Sequence, residues 1–540
     1  MDGGFGHPLP DDGPSDIADR LAQVMAIDLG APAVHHDDTT WTWGDVADHG
    51  ARVDGELPER LRGAAGLRVA VVMRNRPPHV ATILNTLARH RCLIPVSSLQ
   101  KPARLAGDIT ALGTPVVIAD AEDWARPELV EAVREAGSIG LALDGHRVQR
   151  VVEASPAPAG SAAIPNPAGS EAIPGPADTA ILMPTSGTTG PPKRVAITRR
   201  DLAIGFDRVR RYARSNDSAA SAPKLSSGVA VVVTPLVHIA GLWAVLQFAV
   251  EGRRLALLDR FEPHAWADLV AEHRPVVTML PPAALVMLLE ADVEPAKLTS
   301  LRAIMCGTAP LSPEVEERFT ARYGVAVLTT YGATEFPGGL VGWTLDDKLR
   351  VGPDKRGSTG RARPGVSIRV VDPGTGTPLG PDSEGAIEVR TPQTVARRPD
   401  AGRNGRDGAD GADGWVRTTD LGRLDVDGFL WVTGRADGAI NRGGFKIMPE
   451  VVEAALAEHP AVRAAGVVGL PDARLGQVPV AAVEASGPVT AEELSGWLRE
   501  RLLTYQVPAR IEIVEELPRT PSMKISRPGV VTLLEAGRPR

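Results

Sequence analysis

The chain carries the polar stretch Thr185-Ser186-Gly187-Thr188-Thr189-Gly190-Pro191-Pro192-Lys193 directly after the apolar run Ile181-Leu182-Met183. The apolar run is typical of the end of a buried strand. Glycine lets the backbone approach a ligand closely and point successive N–H groups into one concavity. The hydroxyl groups add short hydrogen-bond donors, and Lys193 adds a mobile positive charge. These properties predict a loop that binds a polyphosphate.

Two other interpretations of this stretch are a P-loop and a polar surface turn. A P-loop requires Gly, four residues and then Gly-Lys-Ser/Thr, and Lys193 is instead preceded by Pro192 and followed by Arg194. The P-loop is therefore excluded. A polar surface turn is the other interpretation, because Ser, Thr and Gly clusters commonly form turns. Five further motifs, described below, favour the binding loop.

Size, charge and cysteine usage limit the class of protein. The chain has 540 residues, so two or more domains are expected. A formal charge of −7 gives no reason to expect nucleic acid or an anionic membrane as a partner. Cys92 and Cys306 are the two cysteines, and their apolar surroundings predict core thiols in a reducing compartment, which favours the cytoplasm. The acidic start Met1-Asp2-Gly3-Gly4 does not resemble a signal peptide.

The apolar stretch 229–250 is long enough to span a bilayer. Thr234-Pro235, His238 and Gly241 interrupt it, and polar or helix-breaking residues are costly in lipid. A buried strand, a turn and an amphipathic helix fit these interruptions better, so we expect no membrane span.

Alternating strand and helix patterns predict an α/β fold. The expected architecture is a large N-terminal domain of two doubly wound αβ layers, with parallel sheets covered on both faces. A strand-rich, barrel-like subdomain is expected at about 357–434, and a small mobile α+β C-terminal lid domain at 435–540. The boundary places the N-terminal core at 1–434 and a hinge at about 435–437. The predicted strands of the two layers lie at 66–73, 92–96 and 115–119, and then at 229–233, 254–258, 276–280, 303–306 and 325–329.

Polar residues also follow the predicted strand at 325–329, in the run Thr329-Thr330-Tyr331-Gly332-Ala333-Thr334-Glu335. Ligands in open α/β sheets bind beyond the carboxyl ends of strands. A glutamate beside a polyphosphate can hold Mg²⁺, which takes one or two carboxylates together with phosphate oxygens. The alternative is a solvated glutamate at a loop tip.

Two further segments contain charged residues near turns. Asp420, in Thr419-Asp420-Leu421-Gly422, can accept hydrogen bonds from both hydroxyls of a ribose. The planar guanidinium of Arg435 presents paired N–H donors that suit ribose or phosphate oxygens. Asp437 lies where the N-terminal core and the C-terminal domain are expected to join, which suits a hinge. A surface charge pair at a turn is the alternative for Arg435 and Asp437.

Taken together and in order, these motifs resemble those of the adenylate-forming enzymes. That superfamily contains acyl-CoA synthetases, the adenylation domains of peptide synthetases and luciferases, and the resemblance is closest to the acyl-CoA synthetases. It covers roughly residues 20 to 530. The motifs are the 185–193 loop, Tyr-Gly-Ala-Thr-Glu at 331–335, Thr-Asp-Leu-Gly at 419–422, Gly-Arg-Ala-Asp at 434–437, Gly-Gly-Phe-Lys at 443–446 and Pro-Ser-Met-Lys at 521–524.

The resemblance implies an ATP- and Mg²⁺-dependent ligase. A carboxylic acid and ATP give acyl-AMP and pyrophosphate, and the acyl group then passes to CoA. The implied catalytic residues are Lys524, Thr334, Glu335 and His238, with Glu335 as the metal ligand and Lys524 bridging the carboxylate and the phosphate. The implied ATP and AMP contacts are Thr185, Ser186, Gly187, Thr188, Thr189, Gly190 and Lys193 for phosphates, Gly307, Thr308, Ala309, Pro310, Thr330, Tyr331 and Gly332 near adenine, and Asp420 and Arg435 for ribose.

The resemblance also implies a moving C-terminal lobe and an acyl pocket. The lobe would swing about Asp437, withdraw Lys524 and bring in Gly443, Gly444 and Lys446 to line a thiol tunnel. Amino-acid-activating relatives carry an aspartate near the His238 position, and 235–242 contains no acid. A buried ammonium without a partner would be costly, so a bulky or long apolar acid is expected, with Gly338-Gly339 as an open pocket floor. The implied acyl pocket is His238, Gly241, Cys306, Phe336, Gly338 and Gly339.

One departure and several alternatives accompany this resemblance. The family usually has glycine immediately before the C-terminal lysine, where this chain has Met523. If positive φ is required there, methionine would cost about 1 kcal/mol or more. His238 could instead be a packing histidine at a turn. The alternative functions are an acyl-AMP ligase that loads an acyl carrier protein, a non-catalytic nucleotide-binding relative and a luciferase-like oxygenase, which no residue marks. A monomer or homodimer is expected.

Overall fold

The computed structural model describes residues 16–154, 178–184, 194–213, 222–308, 311, 313–393, 414–435, 440–447, 449–518, 525 and 527–536. The first part of the chain alternates helices with short apolar strands. Its elements are α1 (Ile17–Met25), β1 (Pro32–His36), β2 (Thr39–Thr42), α2 (Trp43–Gly55), α3 (Glu59–Arg62), β3 (Arg68–Met73), α4 (Pro77–Ala88), β4 (Cys92–Ser97), α5 (Pro102–Leu112), β5 (Val116–Asp120), α6 (Pro127–Glu135), β6 (Ile139–Asp144), β7 (Arg147–Val152), β8 (Thr179–Pro184), β9 (Arg194–Thr198) and α7 (Arg199–Ala213).

These strands build a seven-stranded sheet of order β7-β6-β5-β3-β4-β8-β9. The five inner strands are parallel and buried, and the edge strands β7 and β9 are antiparallel to their neighbours. Helix starts follow the local sequence, because α4, α5 and α6 each have proline in the first turn, where the missing N–H costs nothing. Strand β8 ends at Pro184 and β9 begins at Arg194. The 185–193 stretch therefore connects two adjacent strands at the side of this sheet.

The middle of the chain continues the alternation of strands and helices. Its elements are β10 (Val229–Val232), α8 (Ile239–Val250), β11 (Arg254–Leu257), α9 (Pro263–His273), β12 (Val277–Leu280), α10 (Pro282–Glu290), β13 (Ala303–Cys306), α11 (Pro313–Tyr323), β14 (Ala326–Tyr331), β15 (Val341–Gly342), α12 (Leu345–Val351) and β16 (Arg361–Ala362). The expected strand, turn and helix within 229–250 are confirmed. Among the described residues, none of the helices has the length and apolar character needed to cross a bilayer.

The strands of this second series lie in two sheets, of order β10-β11-β1-β2 and β12-β13-β14-β15-β16. We expected these strands to lie together in one doubly wound layer. The N-terminal strand β1 pairs in parallel with β11, which extends the first of these sheets with residues distant in sequence. Between the two sheets, the Thr278 hydroxyl donates to the Val231 carbonyl at 3.2 Å. A side-chain hydrogen bond thus connects β12 to β10. In a single sheet, backbone hydrogen bonds would connect these two strands instead.

The last part of the chain is richer in antiparallel strands. Its elements are β17 (Ser367–Val371), β18 (Gly385–Arg390), β19 (Val416–Leu424), β20 (Leu430–Arg435), β21 (Ile440–Arg442), β22 (Phe445–Ile447), α13 (Pro449–Ala457), β23 (Val462–Asp472), β24 (Gly476–Ala485), α14 (Ala491–Arg501), β25 (Arg510–Val514) and α15 (Arg527–Ala536). Strands β17 to β20 form an antiparallel sheet in chain order, and β22-β21-β24-β23 form another, with β25 added parallel to β24. The α/β architecture with a strand-rich region and a smaller α+β region is confirmed.

Candidate active site

The parallel strands β13 and β14 bring two predicted nucleotide segments to the same edge of their sheet. Cys306 and Thr329 are register partners near the carboxyl ends of these strands. Gly307 follows β13 in the chain. It lies close to β14, because a Cβ at Gly307 would lie 2.9 Å from Thr330 Cγ2. Thr308 comes next with a φ of 73°. Open α/β sheets bind ligands at this kind of edge.

A hydrogen bond joins Tyr331 at the end of β14 to Asp420 on β19. The Tyr331 hydroxyl donates to Asp420 Oδ2 at 2.7 Å, and the Asp420 N–H donates to Thr418 Oγ1 at 3.2 Å. Asp420 is the cross-strand register partner of Arg435 on β20. The fold therefore brings together the residues expected near adenine and ribose, although only the backbone of Arg435 is described.

Thr334 and Glu335 lie in the turn that follows β14, and both are partly buried. Backbone bonds close this turn, since the N–H of Phe336 donates to the Ala333 carbonyl at 3.0 Å. A carboxylate oxygen is a suitable ligand for a hard cation such as Mg²⁺. Among the described residues, Glu335 belongs to no group of three or more metal-ligating side chains. This donor set fits Mg²⁺, which takes most of its other ligands from water and substrate phosphates.

The loop between β21 and β22 packs against these nucleotide segments. Gly444 has a φ of +88°, and a Cβ there would lie 2.8 Å from Thr308 Oγ1. The Phe445 ring lies edge-on to His238, with centroids 5.4 Å apart, and stacks on Tyr505 at 4.3 Å. Two residues expected in a thiol tunnel, Gly443 and Gly444, thus lie in a loop that contacts both Thr308 and His238.

His238 is the residue immediately before α8. Its side chain is exposed, and desolvation lowers the pKa of the imidazole. Protonation therefore requires a pH below the ordinary pKa of histidine, and the imidazole is neutral near pH 7. Its place beside an acyl pocket stays a prediction.

Two of the glycines assigned to an open acyl pocket are closely packed on one side. Gly338 and Gly339 have φ values of 88° and 73°, and a Cβ at Gly338 would lie 3.0 Å from the Gly205 carbonyl oxygen and 3.2 Å from Trp243 Cζ2. A helix backbone and an indole occupy the space on the side where a Cβ would lie, and the assignment of these two glycines to an acyl pocket stays a prediction. Gly241 is similarly constrained, since a Cβ there would lie 2.5 Å from the Pro235 carbonyl oxygen.

Cys306 and Phe336, also assigned to the acyl pocket, lie in hydrophobic cores. Cys306 is 1% exposed and packs in the cluster that contains Leu285 and Ile304, and burial raises the pKa of its thiol. Phe336 is 6% exposed and packs in the cluster that contains Tyr331 and Leu340. Both side chains are buried, and neither presents an open surface.

Two buried arginines beside this turn were missed by the sequence analysis. Arg208 on α7 donates to the Gly339 carbonyl at 3.1 Å, and Arg363 donates to the Gly338 carbonyl at 2.6 Å. Burial, followed by the charge of Arg363, lowers the pKa of Arg208 to about 10, so it remains charged at pH 7. Arg208 lies four residues after the buried Ile204 on one face of α7. A charged residue on the apolar face of this helix was the sequence signal that could have identified Arg208.

Several predicted site residues lie outside the described residues or are described only in part. Only the backbone is described for Lys446, as for Arg435. Those outside are Thr185, Ser186, Gly187, Thr188, Thr189, Gly190, Lys193, Ala309, Pro310, Asp437 and Lys524.

Comparisons with known proteins agree with this arrangement. The sequence models described as "AMP-binding enzyme" and "AMP-binding enzyme C-terminal domain" match residues 22–397 and 451–524. A feruloyl-CoA synthase from Amycolatopsis is 30% identical over 505 residues, which are 92% of this chain and 94% of that protein. A 2-succinylbenzoate–CoA ligase from Bacillus velezensis is 35% identical over 354 residues, 65% of this chain and 68% of the relative.

The fold is shared with solved structures. A double mutant of o-succinylbenzoate CoA synthetase from Bacillus subtilis, bound with a product analogue, superposes with a TM-score of 0.77 at 24% identity. The match covers 96% of this chain and 98% of that one. The AMP-binding match alone spans more than half of the 540 residues. This chain therefore belongs to the AMP-binding, adenylate-forming enzyme family, and it is similar to the acyl-CoA ligases within it.

Proposed function

We propose that this protein is an AMP-forming acid–thiol ligase that activates a bulky or long apolar carboxylic acid with ATP and transfers the acyl group to CoA. The observation that carries the proposal is the position of the Gly443–Phe445 loop. It lies against Thr308 through Gly444 and against His238 through Phe445. These contacts support a role for the loop beside a segment expected to bind the nucleotide and a histidine expected beside the acyl group.

The first step needs positioning and positive charge more than proton transfer. A carboxylic acid is already ionised near neutral pH, so its oxygen can attack the α-phosphorus without a general base. The new O–P bond replaces the bond to pyrophosphate, which leaves. Negative charge grows on the phosphate oxygens, and electrostatic stabilisation is the main requirement. In this proposal the 185–193 loop holds the β- and γ-phosphates, and Lys524 lies between the carboxylate and the α-phosphate.

The described residues would orient the nucleotide. Asp420 accepts a hydrogen bond from Tyr331 through Oδ2, and carboxylate oxygens are acceptors suited to ribose hydroxyls. Arg435 would assist from the neighbouring strand. Thr334 and Glu335 would face the α-phosphate, with Glu335 as the protein ligand of Mg²⁺. Bound Mg²⁺ supplies neutralisation of the phosphate charge.

The second step transfers the acyl group to a thiol. The sulfur attacks the acyl carbon, the C–O bond to AMP breaks, the thiol proton passes to solvent, and AMP leaves with the bridging oxygen. The position of the Gly443–Phe445 loop, described above, supports a role for this loop in binding the thiol. CoA is the proposed acceptor because the relatives are CoA ligases by name. An acyl carrier protein remains the alternative.

The surroundings of His238 support an apolar, non-amino acid. The segment 235–242 around His238 contains no aspartate or glutamate. A buried substrate ammonium would find no partner within this segment, and such burial is costly. Aromatic contacts from Phe445 and Tyr505 favour an aryl or alkyl chain. Relatives named for ferulate and 4-coumarate make arylpropenoic acids the first candidates.

The proposal includes the domain arrangement and setting. We place the boundary between residues 434 and 435, with a core at 1–434, a lid at 435–540 and a hinge at Asp437. The two family models match on either side of this boundary. A cytoplasmic location is proposed from two buried thiols, and a monomer or homodimer is the proposed assembly.

Pyrophosphate release with a panel of acids tests this function. The panel contains ferulate, 4-coumarate, a long-chain fatty acid, phenylalanine and an assay without acid, each with and without CoA. We expect release with at least one apolar acid, faster turnover with CoA and an acyl-CoA product by mass spectrometry. Strong activity with phenylalanine alone would contradict the acid assignment. No ATP consumption with any acid would favour a non-catalytic relative.

Replacing Asp420 tests the ribose contact. Asp420→Ala is expected to raise the KM for ATP about 10- to 100-fold, because charge-assisted hydrogen bonds contribute about 1.5–3 kcal/mol each. Tyr331→Phe keeps the carboxylate and should have a smaller effect. Asp427→Ala is the matched control, since Asp427 lies at the exposed turn of the same hairpin and pairs with Lys355. An unchanged KM in Asp420→Ala would exclude this residue from ATP binding.

A further inference from the structure

Two histidines and a glutamate converge on the sheet of order β10-β11-β1-β2. His35 lies on β1, and Glu272 and His273 end α9. One ligand atom from each of the three lies within 4.8 Å of the other two. The imidazole rings of His35 and His273 meet edge-on with centroids 4.7 Å apart. The parallel pairing of β1 with β11 helps to bring residues 35 and 273 together.

The two histidines are held by regular structure. Val34 is fully buried in one core, so the next residue, His35, faces the opposite side of the sheet. The register partner of His35 is Ala256, which packs in the same core as Val270 of α9. Helix α9 ends at His273, and Arg274 follows with left-handed φ of 47°. Both histidines are therefore carried by backbone in regular structure, and their side chains can still rotate.

His273 presents a ring nitrogen without a hydrogen bond. Its Nε2 is buried, has no hydrogen-bond partner among the described residues, and lies 3.8 Å from Glu272 Oε1. That separation is too long for a hydrogen bond. Leaving a buried polar atom unpaired costs free energy.

A metal-binding histidine usually forms a hydrogen bond through the ring nitrogen that does not bind the metal, and His35 has a contact of this kind. Its Nδ1 lies 3.2 Å from Thr40 Oγ1 on β2. If Nδ1 donates to that hydroxyl, Nε2 carries the free lone pair. A hydrogen bond on the opposite ring nitrogen fixes the orientation of a metal-binding imidazole.

We propose that His35, His273 and Glu272 bind a zinc-class divalent cation at a site separate from the Mg²⁺ carboxylate Glu335. Two imidazoles and one carboxylate suit Zn²⁺, Co²⁺ or Ni²⁺, whereas Mg²⁺ prefers oxygen ligands alone. Ligand atoms around tetrahedral zinc are about 3.3 Å apart, given Zn–N bonds of about 2.0–2.1 Å. The three atoms, now within 4.8 Å, reach that spacing by small side-chain rotations. Water fills the fourth position.

The site would tie the N-terminal strand to the middle of the chain. A bound cation joins β1 to the end of α9 and stabilises the native state by its binding free energy. Three protein ligands with water in the fourth position form an open site, unlike the closed four-ligand sites that are typical of structural zinc. The cation serves stability, and no step of acid activation uses it.

Metal binding by tag-free protein tests this site. Zn²⁺ is titrated calorimetrically in the presence of 5 mM Mg²⁺, and Co²⁺ is followed by its visible absorption. We expect the wild-type chain to bind one equivalent that Mg²⁺ does not displace, with the absorption of a tetrahedral Co²⁺ site and a rise in Tm. His35→Ala and His273→Ala should each lose that equivalent, and Glu272→Gln should weaken it about 10-fold or more.

His264→Ala is the matched control, because His264 is an exposed histidine at the other end of the same helix. It should retain the site. Pyrophosphate release by His273→Ala without added zinc should equal that of the wild type. Equal Zn²⁺ binding by the wild type and both His→Ala variants would overturn the proposal, and so would no zinc binding by the wild type. A variant that fails to fold is replaced by His35→Gln, which preserves volume.

Discussion

Lys524→Ala is expected to slow acyl-AMP formation by about 10²- to 10³-fold, the usual loss when a charge-stabilising donor is removed from a transition state. Two anions must meet in the first step, and Lys524 would supply the positive charge between them. The residue stands in the motif Pro521-Ser522-Met523-Lys524, at the end of the match to the C-terminal family domain. The measurement is single-turnover pyrophosphate release with a saturating acid.

The second half-reaction provides the control for Lys524. Acyl transfer from chemically prepared acyl-AMP to CoA should proceed at nearly the wild-type rate, because that step has no carboxylate–phosphate repulsion. Lys524→Arg keeps the charge and should lose less than the alanine variant. Near-normal pyrophosphate release by Lys524→Ala would remove this lysine from its role, and equal loss in both half-reactions would indicate a structural defect.

Gly444→Val is expected to reduce acyl transfer to CoA about 100-fold while leaving acyl-AMP formation nearly unchanged. The φ of +88° is unfavourable for a β-branched residue, at about 1–3 kcal/mol. The added Cβ would also lie 2.8 Å from Thr308 Oγ1. Both effects oppose the packing of the Gly443–Phe445 loop on the nucleotide segment. The measurement compares the two half-reaction rates in one preparation.

Gly476→Ala is the matched control for Gly444→Val. Gly476 also has a positive φ, of 76°, but an added Cβ would meet nothing closer than the Asn441 carbonyl oxygen at 3.6 Å. This variant should lose stability without changing the ratio of the two half-reaction rates. A Gly444→Val enzyme that transfers the acyl group as fast as the wild type would contradict the assigned role of the loop.

Motif order predicted that Tyr331 and Asp420 border the same nucleotide, and the structure brings these two side chains into contact. Tyr331 lies at the end of a strand and Asp420 on a neighbouring sheet, and the fold joins them by a 2.7 Å hydrogen bond. Strand ends and glycine turns are visible in sequence, so Gly307 and Thr308 could also be placed. The motif does not specify which donor contacts Asp420, because that depends on the packing of two sheets.

Packing density could not be predicted from glycine content. Gly338 and Gly339 suggested an open floor, but glycine serves equally where backbone crowds together. The Gly205 carbonyl and the Trp243 ring occupy the space that the sequence left undecided. Arg208 and Arg363 then donate to the same turn from distant parts of the chain.

Long-range pairing was the other feature that the sequence did not reveal. Strand β1 pairs with β11 although more than two hundred residues separate them, and this pairing extends the sheet of β10 and β11 with strands from the N-terminal part of the chain. The same pairing brings His35 to His273. Local periodicity specifies that these strands exist, whereas their partners depend on the global topology.

Transfer of oxygen-18 from the labelled acid to AMP tests the central claim most directly. The carboxylate oxygen that attacks the α-phosphorus stays with AMP when the thiol attacks the acyl carbon. Complete turnover of a carboxyl-labelled acid with ATP and CoA should therefore give AMP carrying one labelled oxygen, together with pyrophosphate. Unlabelled AMP, or the formation of ADP and phosphate, would contradict activation through a mixed anhydride with AMP.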